Sequence, residues 1–146
     1  MQSTCNLCFS QEQTVDSTQT LLEVDFQKAF VHDTVTFTVN EYLIFKDIIL
    51  TTNTIIDCTD FWVSITTISN NKIAVFYKGE TDNKIFYTSK TRKIRQTKQG
   101  HIFLTVALNK KEFKYDIDLS KGKYIGLNKS ENALIIIQQE RKFIYD

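Results

Sequence analysis

Apolar side chains fall on every second position through most of this chain. Leu22, Val24 and Phe26 alternate with Glu23, Asp25 and Gln27, and Val35, Phe37 and Val39 alternate with Thr34, Thr36 and Thr38. The same beat returns at Phe61, Val63 and Ile65, at Ile73, Val75 and Tyr77, and at Ile102, Leu104, Val106 and Leu108. It recurs a last time at Phe113, Tyr115, Ile117 and Leu119. A period of two sends successive side chains to opposite faces of a pleated strand. Each segment thus has one face that must leave water and one that can stay in it.

Turn residues punctuate the segments: Asn40-Glu41, Ser69-Asn70-Asn71, Gly79–Asn83, Asn109-Lys110, Ser120-Lys121-Gly122 and Asn128–Asn132. Tyr42–Leu50 is more continuously apolar and reads as an edge strand with a bulge. Residues 51–60 read as a loop and residues 90–100 as a basic connection ending at Gly100. Lys84–Ser89, Lys123–Leu127, Ala133–Gln138 and Lys142–Tyr145 complete the set, and no stretch carries helical periodicity. About nine or ten short strands at this spacing predict an all-β fold, an antiparallel β-sandwich of immunoglobulin-like or jelly-roll-like kind. Two sheets with one apolar face each escape water by facing one another.

Composition agrees. Ile, Val and Thr together supply 43 of the 146 residues, while Ala, the best helix former, occurs four times. The length suits one domain, read as residues 20–146 behind a polar, flexible arm at 1–19. That arm has neither a basic n-region nor an apolar h-region, so it is not an intact signal peptide. No apolar run approaches the ~18 residues of a membrane span. Proline is absent, which removes one means of blunting strand edges and leaves that task to lysine.

Little in the chain points to catalysis. Cys5-x2-Cys8 is the one metal-like or redox-like spacing. A closed zinc site needs four ligands and a thioredoxin-type pair needs a helix N-terminus, so the two cysteines read as ordinary thiols of the arm. His32 and His101 read as surface histidines. Asp57 with Asp60, and Asp116 with Asp118, are local carboxylate pairs, the second on a solvated strand face. No nucleophile elbow, zincin helix or glycine-rich phosphate loop occurs. The expectation is a protein that is not an enzyme and takes no cofactor or metal.

Charge is segregated although the net is only +1. Residues 83–111 hold eight bases and no acid, whereas residues 1–82 hold eleven acids and four bases. Lys90, Arg92, Lys93 and Arg95 concentrate the basic stretch, which fits either a polyanion site or a cation-guarded edge. A second candidate surface is aromatic. Trp62 falls on the phase opposite Phe61 and Val63, and with Tyr77 or Tyr87 nearby it would make a platform for a sugar ring or a protein hot spot.

Two stretches, FQKAFVHDTVTFTVNEYLIF (26–45) and DLSKGKYIGLNKSENALIIIQQERKFIYD (118–146), resemble small β-sandwich proteins of the bacterial cell envelope, secreted or lipid-anchored, of Bacteroidetes type. The resemblance implies extracytoplasmic display and a structural or binding role, and brings no catalytic residues. The expectation is therefore a non-catalytic envelope module that contacts a protein or glycan partner through an exposed face or edge. Two alternatives stand beside it: polyanion or nucleic-acid binding through residues 84–98, and an intracellular inhibitor such as a toxin-immunity protein.

Overall fold

A computed structural model describes residues 19–69, 71–81, 84–87 and 92–145. The chain folds as an all-β sandwich. Its strands are β1 (Thr20–Phe26), β2 (Asp33–Val39), β3 (Tyr42–Leu50), β4 (Phe61–Ser69), β5 (Lys72–Thr81), β6 (Lys84–Tyr87), β7 (Arg92–Arg95), β8 (His101–Leu108), β9 (Lys111–Asp118), β10 (Tyr124–Ser130) and β11 (Ala133–Gln139). One sheet has seven strands in the order β11-β10-β1-β4-β5-β6, with β7 also on β5; the other has the order β3-β2-β8-β9.

The alternating residues close the core. Leu22, Val24, Phe26, Phe61, Val63 and Ile65 meet Val35, Phe37, Val39, Leu104 and Val106, all buried. Phe26 sits at the centre, its ring edge-on to Phe30, Phe37, Phe45 and Phe61 at 5.8–6.2 Å, the geometry aromatic quadrupoles favour. Asn40 and Glu41 both take positive φ, the backbone that a tight two-residue hairpin demands and asparagine tolerates. The bulge expected in β3 is present. Val35 pairs with Ile48 but Phe37 pairs with Phe45, so β3 carries one extra residue there, and Asp47 absorbs it at φ 55°.

Several details depart from expectation. Not every pairing is antiparallel, because β1 and β10 run parallel, Glu23 beside Tyr124 through Phe26 beside Leu127. β5 continues through Thr81, so residues 79–81 are strand where a turn was expected. Residues 92–95 are a strand rather than part of a connection, since Ile94 buries its side chain and pairs with Ile73. Residues 142–145 form no strand; they cross the outer face of the long sheet instead. The arm at 1–18, with Cys5 and Cys8, lies outside the described residues, as do Asn70 and Lys90.

Two polar clusters fasten the layers. Asp33 of β2 accepts hydrogen bonds from the Val31 N–H, Asn109 Nδ2 and Lys129 Nζ at 2.7–3.1 Å, and Lys129 belongs to β10 in the other sheet. Asn40 donates to the Arg95 carbonyl and accepts from the Phe103 N–H, tying the β2–β3 turn to β7 and β8.

Candidate functional site

The outer face of the seven-stranded sheet carries the most unusual chemistry. Side chains on that face form rows across the strands, and one row reads Ile137, Gly126, Asp25, Trp62 and Lys78. The C-terminal segment folds over the row. Asn128 Nδ2 donates to Gln27 Oε1 at 2.9 Å, Gln27 Nε2 donates to the Tyr145 hydroxyl at 2.8 Å, and that hydroxyl donates to Asp25 Oδ2 at 2.8 Å. Gly126 makes this chain possible, since a Cβ there would meet the Gln27 carboxamide carbon at 2.6 Å.

Burial under Tyr145 and the neighbouring charge of Glu23 push the Asp25 carboxyl up to about 7, against lowering by the Tyr145 hydrogen bond and Lys142. Burial also raises Glu23, with Lys142 and Lys123 opposing it. The Tyr145 phenol is raised by burial and by the charge of Asp25. A protonatable carboxyl in a polar chain holds the C-terminal segment in place.

Trp62 lies on this outer face, half-buried, its ring edge-on to Phe76 at 5.5 Å. The expected partnership with Tyr77 does not form. Tyr77 pairs with Val63 on the inner face and packs against Phe45 and Phe61 at 5.0 and 5.8 Å. Phe76, one residue earlier, is the aromatic that the alternation assigns to the side of Trp62. Tyr87 belongs to β6 and pairs with Lys78; its side chain lies outside the described ones.

The basic residues collect at one lateral edge. β6 and β7 pair with successive halves of β5, so the cation-rich segment is the sheet's border on that side. Arg92 is turned inward along the surface and donates from both terminal nitrogens to the Leu43 carbonyl at 3.1 and 2.8 Å. Lys93 and Arg95, with Lys72, Asn71, Ile94 and Tyr42, line an open groove of about 390 Å³. Three cations and an exposed tyrosine there suit an anionic ligand.

The opposite edge is built differently. β11, Ala-Leu-Ile-Ile-Ile-Gln-Gln, has no charged residue and no proline. It pairs with β10 on one side and with no other strand among the described residues. Ile135 and Ile137 are 50% and 44% exposed. The other sheet ends all carry charge: Lys46 and Asp47 at the bulge of β3, Lys84 in β6, Arg92–Arg95 in β7, and Lys111, Glu112, Lys114, Asp116 and Asp118 in β9. Sequence reasoning assigned edge protection to lysine in general, and missed that one strand is left without it.

His101 and Asp116 are joined at 2.7 Å on the surface, and Cys58 is buried. No group of three or more His, Cys, Asp or Glu side chains able to hold a metal occurs among the described residues. No helix among them is long and apolar enough to cross a membrane. No known family, curated protein or solved structure matches the chain.

Proposed function

We propose that this chain is a non-catalytic binding module, of the cell envelope as its resemblance implies, that recognises a protein partner by adding a strand at β11. One observation carries the reading: among the described residues, β11 is a sheet end that combines a side with no strand on it, an uncharged sequence and two exposed isoleucines. An unprotected edge offers main-chain hydrogen bonds, and alternate side chains add selectivity. Exposed apolar residues in a row are the mark of a contact surface.

The test uses the full chain as bait against an envelope extract, beside the variant Ile135→Lys/Ile137→Lys. Capture of a partner by the wild type and not by the variant, with slowed amide exchange at Leu134, Ile136 and Gln138 in the complex, is the expected result. Equal capture by both proteins overturns the reading.

The groove beside β7 favours a second reading, binding of a polyanion. Its support is the convergence of Lys72, Lys93 and Arg95 on one opening. Under it, Lys93→Glu/Arg95→Glu weakens binding of a heparin or oligonucleotide probe and flattens its dependence on salt by about two phosphate contacts. An unchanged slope removes it.

A further inference from the structure

We propose that residues 142–145 form a pH-operated latch on the outer face of the seven-stranded sheet, shut while Asp25 holds a proton and released as that proton is lost. The latch is not a strand, and side chains fasten it. The Tyr145 hydroxyl donates to Asp25 Oδ2 and accepts from Gln27 Nε2, both at 2.8 Å. Three residues earlier, Lys142 Nζ lies 3.9 Å from Glu23 Oε2. Glu23 and Asp25 stand two apart on β1, so the period of the strand sends both carboxyls to one face, beneath the same segment. Gly126, the β10 partner of Asp25, brings no side chain to cover it, and its β4 partner is Trp62. What lies over the carboxyl is therefore the segment itself, through Tyr145, with the Gln27 carboxamide alongside.

The groups around Asp25 give the latch its direction. Glu23 on the same strand and Asp60 just before β4 bring like charge, and Lys142 in the latch opposes them. On the β10 side Lys123 and Tyr124 act on Glu23 and are met by it, and Cys58 acts on Tyr145. The Tyr145 hydrogen bond favours the charged carboxyl, but less than burial and Glu23 disfavour it, so the proton stays to about pH 7. Lifting the segment readmits water, and the carboxyl then ionises toward its ordinary 3.8. Opening thus releases a proton at any pH between the two values. Each pH unit in that interval favours the open form by up to about tenfold. Above about 7 the shut form ionises as well, and the gain levels off. Glu23, raised by burial under the same segment, adds in the same sense.

NMR relaxation dispersion on the full chain tests this, read at the Ile144 methyl and the Tyr145 ring, because it detects a minor open form in microsecond-to-millisecond exchange. The open population is expected to rise about thirtyfold from pH 5 to pH 7 and less than about twofold more to pH 8. Asp25→Asn, which keeps the shape and an acceptor for Tyr145, abolishes the rise. Tyr145→Phe, which removes only the hydroxyl, raises the open population at pH 5 by about tenfold. The exchange is confined to residues 142–145 and the β1 side chains beneath them, while Val35 and Leu104 in the core stay quiet. Dispersion that spreads to Val35 and Leu104 in step with Tyr145 is unfolding of the whole domain and overturns the latch. No dispersion at pH 7, an equal rise in Asp25→Asn, or a Tyr145→Phe population equal to wild type overturns it as well.

Discussion

The Tyr145 hydroxyl donates a 2.8 Å hydrogen bond to the Asp25 carboxylate, 120 residues away in the chain. It pins the last described residue across the outer face of the first strand, and it does so on a carboxyl whose proton is held to about pH 7. In the unfolded chain that carboxyl ionises near its ordinary value of 3.8. Between the two values the folded state carries a proton that the unfolded state has lost, so stability declines as pH rises through this window. Glu23, also raised, acts in the same direction. Unfolding by urea is expected to show a loss of about 3 kcal/mol between about pH 5 and pH 8, with Asp25→Asn flattening most of it. Equal pH dependence in the wild type and the variant would contradict this.

Asp33 behaves in the opposite sense. Burial pushes its carboxyl up, but Asn109, the Val31 N–H and Lys129 together outweigh burial and hold it below the ordinary carboxylate range. Its contribution is present above the unfolded value and disappears only as pH falls through the depressed one. With the side chain 5% exposed, Asp33→Asn strands the Lys129 ammonium between the sheets and costs about 3 kcal/mol. A double-mutant cycle with Lys129→Met should return a coupling of about 1–3 kcal/mol; simple additivity would show that the pair does not act as one unit.

Gly126→Ala tests the polar chain without touching a polar group. The new methyl takes the space of the Gln27 carboxamide, so Gln27 leaves Asn128 and Tyr145. The expected cost is about 1–3 kcal/mol, together with faster amide exchange across residues 142–145. Gly79→Ala is the control in the core layer. There a Cβ would lie 2.6 Å from the Phe61 Cα, a backbone atom that cannot swing aside, and the loss should equal or exceed that at Gly126 while exchange in the C-terminal segment stays unchanged.

Phe37 and Phe113 occupy equivalent phases of their strands, and the alternation alone treats both as core. Only Phe37 is fully buried, stacked on Phe45 at 5.5 Å. Phe113 is half-buried, with the Lys111 ammonium 5.4 Å from its ring centre. Phe37→Ala should cost about 3–5 kcal/mol and Phe113→Ala less than about 2 kcal/mol. Equal losses in chemical denaturation would mean that β9 is packed more tightly than its burial indicates.

The contrast between those two phenylalanines marks what a reader of the sequence can reach. Which face each side chain takes is a local property, set by the two-residue period, and Leu22, Val35, Phe61 and Ile102 all point where that period puts them. So is the bulge, which the awkward Lys46-Asp47 step in an apolar run announces. Which strands become neighbours is not local. Nothing near Glu23 reveals that Tyr124 lies beside it in parallel, and nothing in Arg-Lys-Ile-Arg reveals that Ile94 has a place in the core. The candidate surfaces divide the same way. The basic cluster and Trp62 were visible as residue types, whereas the bare edge at β11 and the Asp25–Tyr145 chain exist only once strand order is known.

The parallel pair has a price in time. Every other strand of the long sheet finds at least one partner close by in sequence, through turns that a growing polypeptide can close at once. β1 lies between β4 and β10, and its contact with β10 spans roughly a hundred residues. A ribosome making this protein must therefore release most of it before Glu23 can meet Tyr124, and until then one flank of β1 stands open to whatever else is in the cell. Refolding in dilute solution should be slow for the domain's size, and the nascent chain is a natural client for a chaperone that shields extended segments.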